Sequence, residues 1–136
     1  MTNQELLKNF GEYIGIRDLK LNQQGCCQLI IDESKAIIIN EITETQLLFS
    51  AIVGKLTEKE AEAHALELLS MNMLLAHVDG PYLSWEPQQK MLLVSLPVDS
   101  SEIDVIALEE NISYLLQNVE HIYQSIREKE IDIVAI

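Results

Sequence analysis

The sequence predicts an α+β domain built on a twisted antiparallel sheet, with elements in the order α-β-β-β-α-β-β-α. Three observations carry this. Three stretches show helical spacing of apolar residues, and the first two open on capping signals. Five short segments rich in β-branched and apolar residues lie between them, three before the second helix and two after it. The connections between consecutive strands are a few polar residues long, whereas a parallel crossover needs about a dozen or more.

The first helix opens at Thr2, with Glu5 at capping-box spacing, and places Leu6, Leu7, Phe10 and Ile14 on one side. Gly15 is placed to end it in the left-handed conformation. Strands are expected over Cys26 to Ile31, Ala36 to Ile42 and Gln46 to Val53, with Asp32, Glu33, Ser34 and Lys35 forming the first tight connection. Thr57 and Glu60 cap a second helix that runs to His77 or Val78, where Gly80 and Pro81 stop it. Tyr82 to Glu86 and Met91 to Val98 are the remaining strands. A last amphipathic helix is expected from about Ser101 to Arg127. This makes one domain over 1–127 and a tail, 128–136, that is either disordered or adds to a sheet edge.

Composition narrows the function. The 136 residues carry a net charge of −13 yet are 48% hydrophobic, the length of one domain with a real core. Clustered Lys and Arg for nucleic acid are lacking, and anionic membrane surfaces are disfavoured for the same reason. No apolar run approaches the ~20 residues of a membrane span, and Met1 to Asn9 does not have the form of a secretory signal. Cys26 and Cys27 are neighbours in an extended segment, a poor geometry for a disulfide, which points to reduced thiols in the cytoplasm.

Catalytic patterns are missing. Gly54-Lys55-Leu56-Thr57 lacks the glycine and hydroxyl of a phosphate loop. Glu60, His64 and Glu67 share a helical face without a metal-binding motif, and no serine sits in a nucleophile elbow. No catalytic residue, metal or cofactor is therefore expected. What the chain has in surplus is apolar surface. The second half of the second helix is apolar around its whole circumference, and the strands carry apolar residues on both faces. A second copy of the chain is the natural cover for that helix. The first helix and early strands, with Leu6, Phe10, Leu29, Ile31 and Ile38, are expected to contact a client. A small ligand-binding or enzymatic domain with an apolar pocket is the alternative, and a subunit of a larger assembly is a third reading.

The stretch Asn72-Met73-Leu74-Leu75-Ala76, Gly80-Pro81-Tyr82-Leu83-Ser84-Trp85-Glu86 and Leu92-Leu93-Val94-Ser95-Leu96-Pro97 resembles the class I chaperones of bacterial type III secretion, the Tir-chaperone family. Leu6-Leu7-Lys8-Asn9-Phe10, Ile14-Gly15-Ile16 and Leu29-Ile30-Ile31-Asp32-Glu33 extend the likeness to most of the chain. The resemblance implies a cytoplasmic homodimer that holds the amino-terminal region of a secreted effector in extended form without using ATP. It places the dimer interface on Leu66, Leu69, Met73, Leu74 and Trp85, and it implies the secretion-system ATPase as a further partner.

Overall fold

The computed structural model describes residues 1–33 and 35–136; Ser34, in the expected first hairpin connection, lies outside the described residues. The elements are α1 (Asn3–Ile14), β1 (Cys26–Ile31), β2 (Lys35–Thr43), β3 (Gln46–Lys55), α2 (Glu58–Ala63), α3 (Ala65–His77), β4 (Tyr82–Glu86), β5 (Met91–Asp99) and α4 (Val105–Glu128). The strands form one antiparallel sheet in the order β1-β2-β3-β5-β4, the predicted fold class. The chain falls into two compact units, Met1–Ser50 with Pro97–Tyr114 and Ala51–Leu96 with Leu115–Ile136.

In the first unit, the Thr2 hydroxyl accepts from the Glu5 N–H at 3.2 Å, which starts α1. Gly15, at φ 83°, ends it, and the Ile16 N–H closes back on the Gly11 carbonyl at 2.7 Å. Leu6, Leu7 and Phe10 are buried. Asn3 is buried too, and its Nδ2 donates to Glu41 Oε2 at 2.8 Å and to the Thr43 carbonyl at 2.6 Å, tying the start of α1 to β2. β1 and β2 alternate as a half-buried pair should. The partners Leu29 and Ile37 are both buried, while Gln28–Ile38 and Ile30–Ala36 are the pairs of the opposite face.

The last helix begins later than its periodicity suggests. The Asp99 carboxylate accepts from the Ser101 hydroxyl at 2.6 Å and from the Ser101 N–H at 2.9 Å, which holds its pKa below the usual value and keeps 99–101 in a turn. Asp104 Oδ1 then accepts from the Ala107 N–H at 2.8 Å and caps α4.

The second unit contains the expected second helix, divided in two. Thr57 caps α2 through the Glu60 N–H at 3.2 Å. At His64 the backbone leaves helical angles (φ −118°, ψ 16°). Its imidazole lies between two carboxylates, with Nδ1 3.1 Å from Glu67 Oε1 and Nε2 3.5 Å from Glu60 Oε2. α3 ends in a Schellman turn in which Asp79, at φ 51°, takes the position that glycine usually fills. After α4 a second such turn, with Glu130 at φ 61°, directs the chain back. Ile131 and Ile133 are buried, and Val134 pairs antiparallel with Lys55. Gly54 is small because a Cβ there would lie 2.7 Å from the Val134 carbonyl oxygen.

A left-handed residue other than glycine costs about 1–2 kcal/mol, and glycine loses back about 0.5–1 kcal/mol as entropy. Asp79→Gly should therefore stabilise the chain by about 0.5–1 kcal/mol. A urea-denaturation midpoint at or below that of the unmodified chain would contradict this account of the turn.

Candidate functional site

α3 presents the main candidate surface. Only Leu68 and Met71 of this helix are buried, and they face one way. On the opposite side Leu66 is 80% exposed, Leu69 64%, Met73 68% and Leu74 71%, a continuous apolar stripe at helical spacing. The circumference that looks apolar all round in the sequence is thus split into a half packed on its own unit and a half left open. Trp85 on β4, the fifth residue expected at the dimer interface, is partly buried. Its indole N–H donates to the Leu56 carbonyl at 3.1 Å, which fixes the ring.

Asn72 holds this arrangement, through a partner that helical periodicity does not reveal. Its Nδ2 donates to the Leu83 carbonyl at 3.2 Å, and its Oδ1 accepts from the Leu83 N–H at 2.6 Å. One amide side chain so satisfies both main-chain groups of Leu83 on an edge strand, as a neighbouring strand would. A groove of about 350 Å³ beside it is lined by Ala61, Ala65, Leu68, Leu69, Leu83 and Trp85. Asn72 lines the same groove, but its amide is already engaged with Leu83. Glu62 and Ser84 complete a lining that is otherwise apolar.

The residues expected to meet a client separate into two groups. Leu6, Phe10 and Leu29 are at most 1% exposed and serve the core. Ile31 and Ile38 are partly exposed, Ile31 on the Leu29 face at the end of β1 and Ile38 on the opposite face of β2. Ile38 shares that opposite face with Ile30, which is exposed, across the β1–β2 ladder. Burial, which depends on partners distant in sequence, is what the strand pattern alone could not assign. β1 is the outermost strand of the sheet and reads Cys-Cys-Gln-Leu-Ile-Ile, without one charge or proline. A second groove, of about 560 Å³, runs along α1. Its lining mixes Ile16 and Leu19 with Lys8, Glu12, Arg17 and Lys20.

Glu60, His64 and Glu67 do come together, as a carboxylate–imidazole–carboxylate row. Among the described residues no group of three or more His, Cys, Asp or Glu is arranged to hold a metal ion. Cys26 and Cys27 are free thiols, and burial, with the neighbouring Cys26 adding to it, pushes the Cys27 thiol up to about 11. Among the described residues no helix is long and apolar enough to cross a membrane.

The family of Tir chaperone proteins (CesT) matches residues 5–123, from the first turn of α1 well into α4. The chain belongs to that family. Tir chaperones of Escherichia coli O157:H7 and Citrobacter freundii are 29% and 28% identical to it over 118 residues, covering 87% of this chain and 75% of theirs. The fold recurs in solved structures. The ExsC-ExsE complex aligns with a TM-score of 0.74 at 21% identity, over 89% of this chain and 90% of the other. The type III secretion chaperone SycH of Yersinia pestis, solved with a stable fragment of YscM2, aligns at 0.64 and 16% identity, over 87% and 97%.

Two measurements test this geometry. Asn72→Ala leaves both Leu83 groups without their partner and should destabilise the chain by about 1–3 kcal/mol in urea denaturation. A loss within about half a kcal/mol, the usual range for surface changes, would refute the clamp. With its pKa raised from 9.0 to about 11, Cys27 is almost wholly thiol at neutral pH. Its alkylation by iodoacetamide at pH 8 should be on the order of a hundredfold slower than that of an unshifted thiol. In a Cys26→Ser chain the reaction should accelerate as pH rises towards 11, and a rate that levels off near pH 9 would refute the shift. The stability tied to this proton has the matching sign: it is complete below about pH 9 and lost as pH rises through 11.

Proposed function

We propose that this chain is a cytoplasmic type III secretion chaperone that acts as a homodimer. It binds the amino-terminal region of one or more secreted effectors in extended form and keeps them fit for export, without ATP and without enzymatic activity. Membership in the Tir chaperone family carries this reading. Solved proteins of the same fold support it, since several were determined as complexes, one named a chaperone–effector complex.

The exposed α3 stripe supports the homodimer. A self-complementary interface covers Leu66, Leu69, Met73 and Leu74 of both copies at once. Each such side chain contributes roughly 1.5–3 kcal/mol when fully buried, against an association cost of about 4–15 kcal/mol. Eight such side chains, already partly covered in the single chain, contribute a gain of the same order as that cost or above it. The proposed client surface is the charge-free outer edge of β1 together with Ile30, Ile31 and Ile38. Main-chain groups along the edge would pair with an extended segment, and the isoleucines would receive its alternate side chains. The secretion-system ATPase completes the proposal as the partner to which a loaded chaperone is presented.

One experiment with two arms tests it. Leu69→Asp and Met73→Asp, both on the open side of α3, should convert a dimer into a folded monomer in analytical ultracentrifugation. Their effect on the stability of the single chain should stay near half a kcal/mol. An unmodified chain that sediments as a monomer at micromolar concentration would overturn the dimer. In the second arm the chain is isolated from its own cells and the protein bound to it is identified. That protein should be exported, and its export should fail when the chain is deleted or carries Ile30→Glu with Ile38→Glu. Export that persists in the deletion strain would overturn the chaperone reading.

A further inference from the structure

The family match ends at residue 123, within α4, and the segment that follows makes contacts of its own. After the turn at Glu130, Ile131 and Ile133 are buried at alternate positions. The Val134 N–H donates to the Lys55 carbonyl at 3.0 Å, and the Val134 carbonyl accepts from the Lys55 N–H at 2.7 Å. This reciprocal exchange is that of a strand added antiparallel to β3. Between the two isoleucines the Asp132 N–H donates to Glu60 Oε2 at 3.2 Å. Beneath them Gly54 leaves the floor bare, since a Cβ would lie 2.8 Å from Ile133 Cγ1.

These are the parts of a peptide-recognition groove: a main-chain partner, two apolar seats at positions i and i+2, and an acceptor for the amide between them. The present occupant seats both isoleucines, but among the described residues its main chain pairs with β3 at Lys55 alone, and Val134 and Ile136 remain exposed. Asp132, whose main-chain N–H meets the Glu60 carboxylate, also adds a negative side chain next to that acceptor along the segment, in a chain of net charge −13 that favours a positive residue there.

We propose that this groove is a peptide-acceptor site which the chain's own segment 131–134 guards. Its second occupant is an extended segment with branched apolar side chains at i and i+2 and a Lys or Arg between them. That segment displaces Ile131 and Ile133 and pairs with Lys55 in their place. The inference rests on the chaperone reading only for the source of the segment, a client protein. The groove itself is tested with synthetic peptides, so its failure leaves that reading intact.

The probes are a fluorescent peptide copying Lys129–Ile136 and the same peptide with Asp132→Lys, titrated against the full chain by anisotropy. The lysine peptide should bind about tenfold more tightly than the copy, and a version with Ile131→Ser and Ile133→Ser should not bind. A full chain with Val134→Pro, which cannot donate to Lys55, should bind the lysine peptide about tenfold more tightly than the unmodified chain. Equal binding to both chains, or binding of the serine peptide, would overturn the proposal. Should the proline variant not fold, hydrogen exchange on the unmodified chain decides. The Lys55 and Val134 amides should exchange about tenfold or more faster than the core amides of β3, and excess lysine peptide should strip protection from Val134 while keeping it at Lys55. Exchange as slow as that of the core would refute a displaceable guard.

Discussion

The double hydrogen bond between Asn72 and Leu83 sets the rotation of α3, and the character of the second unit follows from that rotation. With Asn72 turned to the edge of β4, Leu68 and Met71 on the same side are buried. Leu66, Leu69, Met73 and Leu74 are then carried to the opposite side and left open. A rotation of one residue, about 100°, would bring part of the stripe inside and break both bonds. The clamp also occupies the main-chain groups of Leu83, so an added strand cannot pair with that residue while it holds. One polar residue in an apolar helix therefore decides which leucines are core and which are surface.

Local chemistry was legible in the sequence wherever its partners lie within a few residues. The hydroxyls of Thr2 and Thr57 do cap their helices, and Gly15 does adopt the left-handed conformation that ends α1. The strands fall where β-branched residues cluster, because alternation and turn chemistry are local. The misplaced start of α4 shares this origin: the helix is expected from about Ser101, but Asp99 and Ser101 capture the backbone first. His64 divides the second helix between two carboxylates that periodicity does not weigh.

The candidate surfaces were legible only in part, for a different reason. The α3 stripe could be foreseen because no single sheet face covers a helix that is apolar all round. Which leucines would be free depended on Asn72, whose partner is eleven residues away. Leu29 looks in sequence like Ile30 and Ile38, and only the pairing of β1 with β2 separates an inward face from an outward one. Asn3 illustrates the same limit, since its partners Glu41 and Thr43 lie about forty residues along the chain.

The uncharged outer strand has a consequence for the protein in the test tube. Nothing in Cys26–Ile31 deters a second sheet from docking edge to edge, so the colloidal stability of the free chain rests on repulsion between bodies of net charge −13. That repulsion has a range of about 10 Å at 0.1 M salt and about 3 Å at 1 M. Concentrated brine, or acid that neutralises the carboxylates, removes the barrier while leaving the adhesive edge intact. Preparations of the empty chain should keep longest in dilute, mildly alkaline buffer, and precipitation by salt should set in early and proceed through strand pairing.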